Sequence, residues 1–329
     1  MAIPGARPTM RDVARHARVA TKTVSRVVND EPGVRPQMAE RVRQSIAALG
    51  YRRNDSARVL RRGQTASIGL IMEDIGDPFY AAFSRAVEDV AARHDALLIT
   101  GSSDEDPERE RALALAFCAR RVDGLIVIPA SRDHSYLRPE IAAGCPVVFA
   151  DRPPHLIETD TVLTDNAGGA CLGVAHLIAG GHRRIGFLGD DARIYTAAQR
   201  HRGYLDAFAA AGLPAPAAGW VAMAHPSQEG IGRALRRMLT GPAPVTAVFC
   251  GNNRVAALVL REVRERALSI ALVSFDDLEL ADLLAPPLTV VAQNTTELGR
   301  VAADMLFRRI GGYQGPPERV ELPASLIVR

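Results

Sequence analysis

Residues 9–30 read TMRDVARHARVATKTVSRVVND, a pattern that specifies two short amphipathic helices joined by a tight turn. Thr9 precedes Met10, Arg11 and Asp12, so its hydroxyl can accept a free backbone N–H at a helix start, and Asp12 sits where negative charge meets the positive helix end. Val13, Ala14 and Ala17 then share one face, and the helix is expected to end near Arg18-Val19. A second helix is expected from about Thr21 to Asn29, with Val24, Val27 and Val28 as its packing stripe. Such a pair forms a helix-turn-helix, in which the first turn of the second helix points into the major groove of a DNA duplex. That geometry exposes Thr21, Lys22, Ser25 and Arg26 to base edges and phosphates. Arg or Lys to guanine is the commonest specific contact, which makes Lys22 and Arg26 the first candidates for base reading; contact with phosphate alone is the competing role.

Outward from this pair, Pro36 opens a third helix through Leu49, with Val42, Ile46 and Leu49 inward and Gly50 as its stop. The stretch that follows, YRRNDSARVLRRGQTAS, is strongly basic and lacks the apolar face of an independently stable helix. It reads either as a charged linker or as a segment that folds when bound, its apolar pair Val59-Leu60 offering a wedge for the minor groove. Charge is distributed to match. Residues 1–65 hold fourteen Lys and Arg against five acids, a net +9, and the chain total of +3 leaves −6 for residues 66–329. A basic head on a mildly acidic body is the footprint of a polyanion-binding end.

From Ala66 the pattern changes. ASIGLIM, ALLIT, GLIVIP and PVVFA read as buried strands, with helices between them near 78–94, 107–120 and 134–143; this is the spacing of βαβ units and of a parallel sheet. A second series is expected from TVLT, RRIGFLG, TAVFC and SIALVSF as strands, with helices near 166–180, 196–211, 228–239 and 252–268. Two similar half-bodies imply two lobes, and sheets of this kind bind ligands beyond the carboxyl ends of their strands, so the cleft between the lobes is the expected ligand site. Phe79 and Tyr80 open a helix beside Asp74 and Asp77, where an aromatic ring either stacks on a ligand or caps the core. Asp151 ends one strand and Asp276 with Asp277 another; carboxylates there either accept from ligand hydroxyls or are solvated loop acids.

A chain of 329 residues, 47% apolar, can bury more than one core. No apolar stretch approaches the ~20 residues of a membrane-spanning helix, and the N-terminal MAIPGARPTMRDVARHA has no apolar export region, so a cytoplasmic protein with no membrane partner is expected. Cys118, Cys145, Cys171 and Cys250 are far apart and read as buried free thiols. No histidine spacing suits a metal, and neither a dinucleotide fingerprint, a phosphate-cradling loop nor a nucleophile elbow is present. An enzyme, a metal site and a cofactor are therefore not expected, and His182 in GHRRIG reads as structural.

The segments MRDVARHARVATKTVSRVVND, RVRQSIAALGYRRNDSARVLRRG, IGLIMEDIGDPFY, GHRRIGFLGD, FDD and PPLTVVAQ, in that order along the chain, resemble the LacI/GalR family of bacterial repressors. The resemblance implies an α/β fold class: an N-terminal all-α helix-turn-helix domain with a hinge helix, then a two-lobed, periplasmic-binding-protein-like body of doubly wound parallel sheets. The boundaries it suggests are 1–52 for the DNA-binding domain, 53–65 for the hinge and 66–329 for the effector-binding and dimerisation domain. Within the last, one lobe takes 66–163 and 292–320 and the other 164–291 and 321–329, with crossings near 162–165, 290–293 and 320. By the same resemblance Thr21, Lys22, Ser25 and Arg26, with Asn54, Ala57 and the hinge leucine Leu60, are the DNA-binding positions. Phe79, Asp151, Arg200, Asn252, Asp276 and Gln293 line the effector cleft, Arg200 with a planar fork suited to hydroxyls, carboxylate or phosphate. The family's usual Gly and Ser are replaced by Arg18 and Ala20 in the head, its Asn-Asp pair by Asn252-Asn253, and a Gly by Ser274. The segment RERALSIALVSFDD is several residues shorter than in relatives.

The expected function is thus a sequence-specific transcriptional regulator, a repressor first of all, whose binding to a pseudo-palindromic operator is modulated by a small molecule, a sugar by resemblance. A homodimer is expected, since no leucine heptad follows the last strand, ASLIVR. A transport-type solute-binding protein shares such a body and is the alternative; the basic head and the lack of an export signal speak against it.

Overall fold

The computed structural model of the chain describes residues 8–29, 31–51 and 65–329. They form two compact units, meeting in sequence at Thr65/Ala66.

In the N-terminal unit α1 (Met10–Ala17), α2 (Thr21–Val28) and α3 (Pro36–Leu49) close on a small core. Thr9 and Asp12 cap α1 reciprocally: the Asp12 backbone N–H donates to Thr9 Oγ1 and the Thr9 N–H to Asp12 Oδ2, 2.9 Å. Arg18 ends α1 in the left-handed region at φ 51°, where glycine is at ease and any other residue bears some strain. Ala20 begins α2 without a side-chain cap. Val13, Ala14, Ala17, Val24 and Val42 are buried together with Tyr51, which the helical periodicity alone does not reveal. His16 and Ser45 join α1 to α3 across 3.0 Å.

The second unit holds two six-stranded sheets. The first has the order β11-β5-β4-β3-β1-β2 and is parallel throughout. Its strands are β1 (Ser67–Met72), β2 (Leu97–Ser102), β3 (Leu125–Val127), β4 (Val147–Ala150), β5 (Asp160–Thr164) and β11 (Arg319–Leu322). The second has the order β12-β10-β9-β8-β6-β7, with only the edge strand β12 antiparallel. It comprises β6 (Ile185–Gly189), β7 (Val221–Met223), β8 (Ala247–Cys250), β9 (Ala271–Phe275), β10 (Thr289–Gln293) and β12 (Ala324–Ile327).

Helices cover both faces of each sheet, as buried parallel strands require. Between strands of the first lobe run α4 (Pro78–Arg93), α5 (Pro107–Ala119) and the short α6 (Arg138–Ala142). Where one helix was expected over 134–143, a 3-10 turn at Ser135–Leu137 precedes α6. The second lobe carries α7 (Asn166–Ala179), α8 (Tyr195–Ala210), α9 (Gln228–Thr240) and α10 (Asn253–Glu265). A further helix, α11 (Thr295–Ile310), lies outside the helices expected from periodicity. It packs on α4 and the first sheet through Leu298, Ala302, Ala303 and Leu306. Gly299 permits that contact: a Cβ there would stand 2.7 Å from the Phe83 carbonyl oxygen.

One strand assignment is corrected. TVLT, expected to begin the second series, is β5 and pairs with β4 and β11 in the first sheet; hydropathy identifies a strand but not its sheet. The chain leaves the first lobe between Thr164 and Asn166, returns between Gln293 and Thr295, and crosses again at Pro323, between β11 and β12. Asp165 and Asn294, at the first two crossings, each cap the helix that follows. All four cysteines are free; Cys250 is buried and the other three only partly so. His182 is tied to Thr246 Oγ1 at 2.9 Å.

Candidate DNA-reading helix and effector cleft

In α2 the buried Val24 fixes which side faces the core of the first unit. Thr21 and Lys22 are exposed, and Ser25 and Arg26 partly so, leaving a polar ridge on the helix surface. Asn29 Nδ2 donates to Ser25 Oγ, 3.3 Å, at the far end of that ridge. Asn54, Ala57 and Leu60, with the expected hinge, lie outside the described residues.

In the second unit a cleft lies where strands of both sheets end, and Phe79, Asp151, Arg200, Asn252, Asp276 and Gln293 all line it. From the first lobe come Glu73 just after β1, Asp77 at the cap of α4, Phe79 and Tyr80 in its first turn, and Asp151-Arg152 after β4. The Asp77 carboxylate accepts the Phe79 N–H, 2.9 Å. Phe79 and Tyr80 meet edge to face, ring centroids 5.1 Å apart. The Tyr80 hydroxyl donates to Glu73 Oε2, 2.9 Å, and Arg152 spans Glu105, 2.6 Å, and Glu73, 3.4 Å.

The second lobe contributes Asp190 after β6, Arg200 from α8, Asn252, Asn253 and Arg254 after β8, Asp276 after β9 and Gln293 at the end of β10. Arg200 is 5% exposed. Its Nε donates to Asn166 Oδ1, 2.7 Å, and its Nη1 to the Gly251 carbonyl, 2.8 Å, and to Asp276 Oδ2, 3.2 Å, while its guanidinium lies 3.9 Å from the Phe275 ring centre. Gln293 Nε2 donates to the other Asp276 oxygen, 2.6 Å. Asn252 caps α10 by accepting the Val255 N–H, 2.8 Å. Asp151 and Asp276 both adopt left-handed backbone, φ 64° and 65°, at corresponding strand ends of the two lobes.

Electrostatics divides these acids. Burial raises the Asp151 carboxyl against the pull of Arg152 and Arg200, and burial likewise raises Asp77. Glu105 is pushed up to about 7, burial outweighing Arg152. Glu73 is held below its ordinary value although burial opposes this, because Glu105, Arg254 and Arg152 together stabilise its charge. Among the described residues no group of three or more His, Cys, Asp or Glu side chains is arranged to hold a metal ion, and no helix is long and apolar enough to cross a membrane.

Six lining residues are legible in the sequence as cleft positions, with Asp77 and Tyr80 beside Phe79. Glu73, Arg152, Asp190 and Arg254 carry no motif of their own; their only signal is that each stands within a few residues of a strand's carboxyl end. Trp220 stays outside the cleft, its Nε1 donating to the Ala243 carbonyl, 2.9 Å. Ser274, where a Gly was noted as usual, is fully buried with its hydroxyl on the Phe275 carbonyl, 2.7 Å.

A helix-turn-helix unit and a separate unit of two doubly wound lobes around a polar cleft define a DNA-binding regulator with a small-molecule-binding body. Residues 9–54 match the family model "Bacterial regulatory proteins, lacI family", and residues 174–329 match "Periplasmic binding protein-like domain". The ribose operon repressor of Haemophilus influenzae is 31% identical over 92% of this chain and 92% of its own length. The lac repressor dimer bound to operator and an anti-inducer superposes with a TM-score of 0.86 at 26% identity, covering 98% of each chain. A complex of the regulator CelR with cellobiose gives 0.71 at 28% identity over 98% of this chain and 99% of that one.

The chain belongs to the lacI family. It is a DNA-binding transcription regulator, not an enzyme.

Proposed function

We propose that this regulator represses transcription as a cytoplasmic homodimer on a pseudo-palindromic operator, and that a small polyhydroxylated effector in the inter-lobe cleft changes its grip on DNA. The observation that carries the effector half is a pair of buried acceptors on the cleft lining, Asp151 Oδ1 and Gln293 Oε1, with no hydrogen-bond partner among the described residues. Unpaired buried acceptors are costly, and ligand hydroxyls relieve that cost. Arg200 and Asp276, locked to each other and to Gln293, offer a fixed donor-acceptor pair beside them. Sugars are the natural class, since one relative of similar fold is a complex with cellobiose and another is named for a ribose operon.

In the head, Lys22 and Arg26 read base edges from α2, with Thr21 and Ser25 beside them, and Asn54, Ala57 and Leu60 belong to a hinge at 53–65 that completes DNA contact. Residues 1–52 act as the DNA-binding domain and 66–329 as the effector and dimer domain. Coupling requires only that the effector favour one lobe arrangement over another by ~1–3 kcal/mol, within reach of one small ligand. The alternative of a transport-type binding protein leaves the helix-turn-helix unit without a task. The test is operator binding by the full-length protein titrated with a sugar and metabolite panel. A ligand that shifts operator affinity at least several-fold, with the shift lost in Arg200→Lys, supports the reading; a panel that shifts nothing, together with an Arg200→Lys variant indistinguishable from wild type, rejects it.

A further inference from the structure

The cleft already contains a cation supplied by the chain itself. Arg254, on the second lobe, places Nη2 2.6 Å from Glu73 Oε1 of the first lobe and 3.3 Å from Asp190 Oδ2 of its own, with Nε 3.9 Å from Asp77 Oδ2. Beside it, Asn253 Nδ2 donates across the cleft to Asp77 Oδ1, 3.1 Å. Two consecutive residues of α10 thus fasten one lobe to the other.

Five carboxylates and three guanidiniums line this space. Arg200 is committed to Asp276, and Arg152 to Glu73, Glu105 and Asp151. Among the described residues, the ion pairs of Asp77 and Asp190 are both with Arg254. Glu73, Asp77 and Asp190 are each at most 8% exposed. A ligand seated between Glu73 and Asp190 takes the room of the Arg254 guanidinium. A neutral polyol in that place leaves Asp77 and Asp190 without a counter-ion and Glu73 with Arg152 alone, a loss that hydroxyl hydrogen bonds do not restore. An ammonium group restores it, with three N–H donors for the same oxygens. Independently of these acids, Asp151, 3% exposed on the same lining, has a carboxylate oxygen with no hydrogen-bond partner. It asks for a donor.

Resting on the effector reading above, we propose that the effector is a cationic polyol, an amino sugar or related hydroxylated amine, and that Arg254 is the internal cation it displaces, with Asp190 as the residue that makes charge a condition of binding. Arg254 both fastens the lobes and filters the ligand.

The test uses matched probes, glucosamine, galactosamine and mannosamine against glucose, galactose and mannose, titrated calorimetrically into the full-length protein at a pH where the amine is protonated. At least one amino sugar is expected to bind ten-fold or more tightly than its neutral parent. Arg254→Met, which removes the competitor, should tighten the amino sugar further and keep its preference over the parent, whereas Asp190→Asn should narrow the preference. Arg254→Lys keeps the charge and serves where Arg254→Met folds poorly; it should retain the preference. Neutral parents binding as tightly as their amines, or no amino sugar binding to either wild type or Arg254→Met, overturns the proposal. A neutral sugar that binds and shifts operator affinity overturns the charge condition alone and leaves the effector cleft standing.

Discussion

Arg200 and Asp276 form the pair on which the second half of the cleft is built, and breaking it should be costly in a characteristic way. Replacing Arg200 with Met removes three hydrogen bonds at once, those to Asn166, the Gly251 carbonyl and Asp276, together with the stacking on Phe275. It also strands Asp276, which is 8% exposed and keeps only the Gln293 amide on its other oxygen. Removing one member of a buried pair costs ~3–5 kcal/mol because the remaining charge is uncompensated. That is a large share of a domain stability of ~5–15 kcal/mol. Asp276→Asn removes the charge but keeps the shape, and Arg200 retains its bonds to Asn166 and Gly251, so its cost should be smaller. Combining the two takes away the stranded charge, and the double variant should be more stable than the sum of the single effects predicts by ~2 kcal/mol. Urea unfolding followed by Trp220, the single tryptophan and a resident of the same lobe, reads these differences. Additivity within ~0.5 kcal/mol would refute the claim that this buried pair organises the site.

In the head, Lys22→Ala and Arg26→Ala should each cost ~1–3 kcal/mol of operator affinity and relax preference at one base pair, measured by competition against single-substitution duplexes. Uniform weakening on all sequences would assign them to phosphate instead. Glu105, raised to about 7 from 4.5, favours the folded state most when protonated. Its contribution is therefore complete below pH 4.5 and lost as pH climbs through 7, so thermal stability should fall across that window and Glu105→Gln should flatten the fall. Gly299→Ala puts a methyl group into the Phe83 carbonyl at the α4–α11 crossing and should destabilise by ~1–3 kcal/mol in urea unfolding, despite alanine's better helix propensity.

What could be read in the sequence was whatever chemistry is local. The capping box of Thr9 and Asp12, the stripe of Val24, and the stop at Gly50 depend on neighbours within one or two turns. The acids that end strands are visible for the same reason. What could not be read is long-range. TVLT looks like any buried strand, and only its pairing with residues 148–150 and 319–322 assigns it to the first sheet. The helix α11 serves the first lobe from the far end of the chain, and its apolar spacing, set between two strand motifs, does not say which lobe it covers. Arg254 and Glu73, 181 residues apart and 2.6 Å from each other, look separately like surface charges; burial and pairing make them a cleft. Arg18 takes the left-handed backbone of the turn, and Ala20 leaves the start of the second helix uncapped.

In the proposed function the first unit reads a duplex as half of a two-fold pair under the control of the second. The most direct measurement is selection of bound sequences from a random duplex pool by the full-length protein in moderate salt, with the mass of the complex determined alongside. The expected result is enrichment of a near-palindrome whose half-sites lie one helical turn, ~34 Å, apart, bound by two copies of the chain. A pool that emerges without sequence preference, or a single copy bound to an asymmetric site, would contradict it.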